Sequence, residues 1–107
     1  MKRRVVITGL GAVTPLGTGV EKSWKALCEG KSGIGPITRF DASSLKCQVA
    51  GEVKDFHPQD FMDNKFVRRF DPFIQYAVAS ARMAMEDSGF RIDAGKQDRA
   101  VSYTHLR

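Results

Sequence analysis

Cysteine is scarce in this chain. Two in 107 residues are too few for a small scaffold stapled by disulfides. Their thiols are expected to be reduced, as in a cytoplasmic protein. No apolar run approaches the roughly 18 residues that a membrane-spanning helix needs, so none is expected. Lys2-Arg3-Arg4 before Val5-Val6-Ile7 has the start of a secretory signal. Thr8, Gly9, Gly11, Thr14 and Pro15 then break the apolar run, and no small-x-small cleavage pattern follows. Internal repeats, low-complexity tracts and a domain linker are also missing. The length suits one small domain or a piece of a larger one. Apolar residues make up 42% and charged residues 27%, which argues against a disordered or collagen-like chain. Lys and Arg number 17 against 12 Asp and Glu, a net charge of +5. That excess favours acidic partners without separating nucleic acid from acidic protein.

Val5, Val6 and Ile7 form a continuous β-branched run. It predicts a strand over residues 3–8 buried on both faces, as in a layered α/β protein. Gly9-Leu10-Gly11 interrupts it, Ala12-Val13-Thr14 resumes it, and Gly17 and Gly19 mark a loop. Val20, Trp24, Leu27 and Cys28 share one helical stripe, predicting a helix over 20–29 closed by Gly30. Residues 31–41 are expected to be irregular, and 45–53 to hold a weak strand. His57-Pro58 is a breaker. Asp71-Pro72 opens the clearest helix, expected to run to Ser88 and to stop at Gly89. Its Ala77, Ala81 and Ala84 stripe predicts a close helix contact in a buried setting.

The motifs with possible chemistry are few. Gly9-Leu10-Gly11 invites a dinucleotide-binding reading. The fingerprint needs a third Gly or Ala at a helix start, and here Thr14-Pro15 stands in its place. A close-packed bend in the strand is the better reading. Cys28 lies on the Trp24 and Leu27 stripe and reads as a small core residue. Cys47, His57 and His105 have no partner at motif spacing, and zinc binding is not expected. Lys65, Arg68 and Arg69 stand at i, i+3 and i+4. In a helical segment they share one face, where like charges repel by roughly 0.2–0.5 kcal/mol per pair. Such a face is either merely solvated or a dock for an acidic partner. Nucleic acid fits less well, because Phe66, Phe70 and Phe73 occupy apolar helical positions and read as core rather than as stacking platforms.

One family accounts for many of these segments in order. Residues 3–17, RRVVITGLGAVTPLG, resemble the opening of the β-ketoacyl-acyl-carrier-protein synthases. Trp24-Lys25-Ala26-Leu27, Gly30-Lys31-Ser32-Gly33-Ile34, Phe40-Asp41, Gly51-Glu52-Val53-Lys54-Asp55-Phe56 and Phe73-Ile74-Gln75-Tyr76-Ala77 continue the likeness. The middle segments resemble the elongating synthase II subgroup.

The resemblance implies an α/β fold of the layered thiolase-like kind, of which this chain is only the N-terminal part. It implies that residues 1–100 belong to the synthase N-terminal domain and that 101–107 is a tail departing from the family pattern. The implied activity is decarboxylative condensation of acyl- with malonyl-carrier protein in cytoplasmic type II fatty-acid synthesis, without a cofactor, by a homodimer. The family's nucleophilic cysteine and two histidines lie beyond the matching region, so no catalytic residue is assigned here. Lys65, Arg68 and Arg69 align with basic positions that meet acyl carrier protein. Two rivals remain: a non-catalytic module that binds an acidic protein, and a nucleotide-binding fragment built on Gly9 and Gly11.

Overall fold

The computed structural model describes residues 2–101. Most of the tail, His105 included, lies outside the described residues. The element order is β1 (Val13–Thr14), β2 (Gly17–Thr18), α1 (Val20–Cys28), β3 (Ile34–Pro36), β4 (Val49–Gly51), α2 (Asn64–Val67) and α3 (Pro72–Ser88). Short 3-10 turns cover Pro58–Asp60 and Gln97–Arg99.

The strand expected at residues 3–8 has no partner among the described residues. Val5 is 91% and Ile7 82% exposed. A strand of this composition is covered when neighbouring strands pair with its edges and other layers pack on both its faces, and the described residues supply neither. The first tether of this segment to the body is the Leu10 N–H, which donates to an Asp87 carboxylate oxygen at 2.9 Å.

Gly9 and Gly11 do pack closely, as the sequence predicts. A β-carbon on Gly9 would overlap the Ala84 carbonyl and lie 2.7 Å from the Ser88 nitrogen. One on Gly11 would overlap the Ser80 carbonyl and lie 2.8 Å from the Ala84 nitrogen. The contact stripe of α3 is therefore Ser80, Ala84 and Ser88. Ala77 and Ala81 are exposed, against expectation, and the fully buried alanine is Ala79. Periodicity alone cannot say which of two overlapping small-residue stripes a neighbour will meet.

The loop expected at Gly17 and Gly19 is instead a tight hairpin. β1 and β2 pair antiparallel, Val13 opposite Thr18 and Thr14 opposite Gly17. Thr14 Oγ1 and Ser23 Oγ lie 2.8 Å apart, and Ser23 Oγ also donates to the Gly17 carbonyl. These bonds seat α1 on the hairpin. The helix ends with Gly30 at φ 69°. The Gly30 N–H bonds Leu27 O and the Lys31 N–H bonds Ala26 O, closing the last carbonyls in a Schellman arrangement.

Residues 34–36, expected to be irregular, form β3. Ile34 pairs with Gly51, Gly35 with Ala50 and Pro36 with Val49. The partner is remote in sequence, so local composition could not announce it. Glu52 then accepts from the Thr38 hydroxyl at 2.7 Å and from the Thr38 and Arg39 N–H groups. Those bonds, the Thr38 hydroxyl first, hold its carboxyl below the ordinary range. Arg39 donates to Val53 O and to the Tyr76 hydroxyl at 3.0 Å, which joins this hairpin to α3.

α3 runs over the length expected, with Pro72 in its first turn and Gly89 in the left-handed region at φ 62°. The Asp71 carboxylate makes no capping bond. Its backbone carbonyl accepts from the Ile74 and Gln75 N–H groups. Residues 71–73 are exposed, so solvent can satisfy the free N–H groups there.

Candidate functional site

The basic residues converge on the short turn before α3. The N–H groups of Phe66 and Val67 bond the Asp63 carbonyl, and that of Arg68 bonds Asn64 O. The pattern continues with Arg69 and Phe70 onto Phe66 O. Helical hydrogen bonding thus extends past α2 to residue 70, and the i, i+3, i+4 spacing gathers Lys65, Arg68 and Arg69 on one side. All three are exposed. The ion pairs among the described residues join Lys31 to Glu29, Arg82 to Glu86 and Lys96 to Asp93. None uses the three cations of the turn.

Hydrogen bonds from α3 hold this turn to the body, and further contacts hold the segment before it. The Gln75 side-chain amide donates to Val67 O at 3.1 Å and to Phe70 O at 2.9 Å. Arg82 Nη1 donates to Phe61 O at 3.0 Å. Beneath the preceding segment, Phe56 stacks on Phe61 and meets Tyr76 edge to face, with centroids 5.9 and 5.0 Å apart. The Phe66 and Phe70 rings stack at 5.4 Å. Phe66 and Phe73 were expected in the core, yet both are exposed, Phe73 at 69%. The described residues provide no layer over that face.

The sequence assigns neither Gln75, which lies in a segment of the family likeness, nor Arg82 a role of its own. A glutamine or arginine on a helix has no spacing signal that announces a bond to another element's carbonyl. The Arg39, Glu52 and Tyr76 cluster was missed for the same reason.

The other candidate residues are dispersed. Cys28, expected in the core, is exposed. On its stripe Trp24, at 64% exposure, and Leu27 are exposed as well and Val20 is half-buried, while Ala26 is the buried residue of α1. Cys47 is exposed and its Sγ approaches only the Val49 carbonyl, at 3.5 Å. His57 is exposed at the start of the 3-10 turn. Among the described residues no hydrogen bond pairs a thiol with this imidazole. No group of three or more His, Cys, Asp or Glu side chains gathers there to hold a metal. Gly9 and Gly11 are pressed on α3, and α1 begins only at Val20. A pyrophosphate at these glycines would meet no helix N-terminus, which a dinucleotide site requires. An open apolar groove of about 410 Å³ lies between the first hairpin, α1 and β3, lined by Pro15, Leu16, Val20, Trp24, Leu27 and Ile34. Among the described residues, no helix is long and apolar enough to cross a membrane.

Comparison with known proteins identifies the family and the fold. The family described as "Beta-ketoacyl synthase, N-terminal domain" matches residues 2–104. A Coxiella burnetii protein named 3-oxoacyl-[acyl-carrier-protein] synthase 2 is 59% identical over 92 residues, covering 86% of this chain and 22% of the relative. A Synechocystis protein of the same name is 51% identical over 87 residues, covering 81% and 21%. Among solved structures, the ishigamide ketosynthase/chain length factor superposes with a TM-score of 0.75 at 43% identity, over 85% of this chain and 23% of that one. The chain thus spans about a fifth of the length of the relatives it matches. Its helices and short strands are an N-terminal portion of the α/β thiolase-like fold. Ordered motifs, superposable backbone and family match agree: the chain belongs to the β-ketoacyl synthase family, within its N-terminal domain.

Proposed function

We propose that this chain is the N-terminal portion of a synthase II that elongates acyl-carrier protein with malonyl-carrier protein. We also propose that Lys65, Arg68 and Arg69 form its carrier-docking edge. In the implied reaction an acyl group passes from its carrier thioester to a cysteine thiolate, releasing the carrier thiol. Malonyl-carrier protein loses carbon dioxide. The resulting carbanion attacks the acyl thioester, forming the carbon–carbon bond and expelling the cysteine thiolate. The resemblance puts that cysteine and its two histidines beyond residue 100. This segment contributes scaffold and docking, and by itself is expected to be inactive. The whole protein is expected to act as a cytoplasmic homodimer.

The observation that carries the reading is the exposed cation triad, free of ion pairs among the described residues, in a chain whose relatives are named for acyl carrier protein. Each exposed pair with a carboxylate contributes about 0.2–1 kcal/mol. Three together can steer and orient an acidic partner without tight binding, which suits a carrier that must leave after each transfer.

The test is Arg68→Glu in the full-length enzyme. Carrier affinity should fall about tenfold at low salt, because one attraction is lost and one repulsion gained. The deficit should shrink at high salt. Unchanged affinity would sink the docking assignment. Carrier binding without turnover by an isolated chain that also melts cooperatively would favour the alternative of a non-catalytic acidic-protein-binding module.

A further inference from the structure

We propose that Gln75 is a positioning residue for the docking edge, an inference that rests on the docking reading of Lys65, Arg68 and Arg69. The turn that bears these residues is poorly suited to stand alone. α2 is four residues long and has no side-chain N-cap. A single helical turn fixes several dihedrals for very few hydrogen bonds, so it does not persist without tertiary support. Its own cations, at i, i+3 and i+4, repel one another and oppose the helical form.

Gln75 meets this need from α3. Its amide has two N–H donors, and they reach the carbonyls of Val67 and Phe70, at 3.1 and 2.9 Å. Val67 O ends α2 and, unlike Asn64 O and Phe66 O, accepts no backbone N–H among the described residues. Phe70 O lies at the junction with α3. The two bonds clamp the segment at either side of Arg68 and Arg69, on a partly buried side chain anchored in the longest helix. The chemistry of the clamp also matters. A carboxylate at residue 75 would have no protons to donate and would offset one of the three positive charges it supports. The neutral amide closes the carbonyls and leaves the positive charge for the partner. Gln75 does not itself touch that partner in this account. It keeps the three cations in one arrangement before binding, so that less ordering is needed on contact.

The test uses the full-length synthase with Gln75→Met, which keeps the side chain's length and removes its donors. Gln75→Asn, which keeps the amide but falls short of the carbonyls, is a second variant should the first fail to fold. Carrier affinity should drop roughly threefold to tenfold in either. KM for malonyl-carrier protein should rise more than KM for a small malonyl thioester that lacks the carrier protein. Amide exchange at residues 68–70 should accelerate. In an Arg68→Glu background the same substitution should have a smaller effect on affinity. Equal losses with both substrates would reduce Gln75 to a general structural role and overturn the proposal. So would faster exchange with unchanged carrier affinity, or an undiminished effect in the Arg68→Glu background. An effect of Arg68→Glu with none from either Gln75 variant overturns the positioning role alone. No effect of Arg68→Glu overturns the docking reading, and the Gln75 proposal with it.

Discussion

Gly11 lies so close to Ser80 that a β-carbon on the glycine would overlap the serine carbonyl. Both atoms involved are fixed by backbone, one in the N-terminal segment and one in α3. Relief therefore requires moving an element rather than rotating a side chain. Gly11→Ala in the full-length enzyme should destabilise it by roughly 1–3 kcal/mol, the usual range for overpacking a close contact. Gly35→Ala serves as the control, since nothing lies within 4 Å of its added carbon. Denaturant unfolding of the two variants measures the difference. Equal stabilities would show that the N-terminal segment does not bear on α3.

Replacing Lys65, Arg68 and Arg69 together by alanine should flatten the salt dependence of carrier binding. Surface attractions are screened over a Debye length of about 10 Å at 0.1 M salt. The wild-type affinity should therefore fall with salt, and the triple variant's should change little. Affinities measured across a salt series decide this. Parallel slopes would place the charge-dependent contact elsewhere.

The Glu52 carboxyl should titrate below an ordinary glutamate. The Thr38 hydroxyl and the Thr38 and Arg39 N–H groups donate to its charged form. A folded pKa below the unfolded value, about 4.3, gives a definite sign. The contribution to stability is complete above the unfolded value and is lost as pH falls through the folded one. Acid should loosen the link between β3 and β4, seen as faster exchange of the Thr38 and Arg39 amides. Thr38→Val should raise the Glu52 midpoint, measurable by NMR titration. An unchanged midpoint would mean that the hydroxyl does not hold the carboxylate.

The isolated 107-residue chain should melt without a sharp transition and should not decarboxylate malonyl-carrier protein. Its buried apolar residues among those described are Ala26, Ala42 and Ala79. Three alanines cannot offset a backbone ordering cost of about 1–2 kcal/mol per residue. The Cα radius of gyration is 17.4 Å, against about 13 Å for a compact domain of this length. Calorimetry and a decarboxylation assay are the checks. A cooperative melt, or turnover at either thiol, would contradict this account.

The sequence by itself determined the two longer helices, α1 and α3, and the family. Pro72 and Gly89 bound α3, Gly30 closes α1, and the ordered motifs from Arg3 to Ala77 carry the synthase resemblance. These signals are local, because a cap or a turn depends on residues within a few positions. It also determined which cations share a face, since helical spacing alone sets that. Only the tertiary structure decided what covers what. It left Val5, Ile7, Trp24 and Phe73 exposed, paired Ile34 with Gly51, pressed Gly11 onto Ser80 and brought Gln75 to the carbonyls of Val67 and Phe70. The physical reason is range: burial and cross-element hydrogen bonds depend on groups distant in sequence, and an apolar side chain is buried only where other elements pack over it.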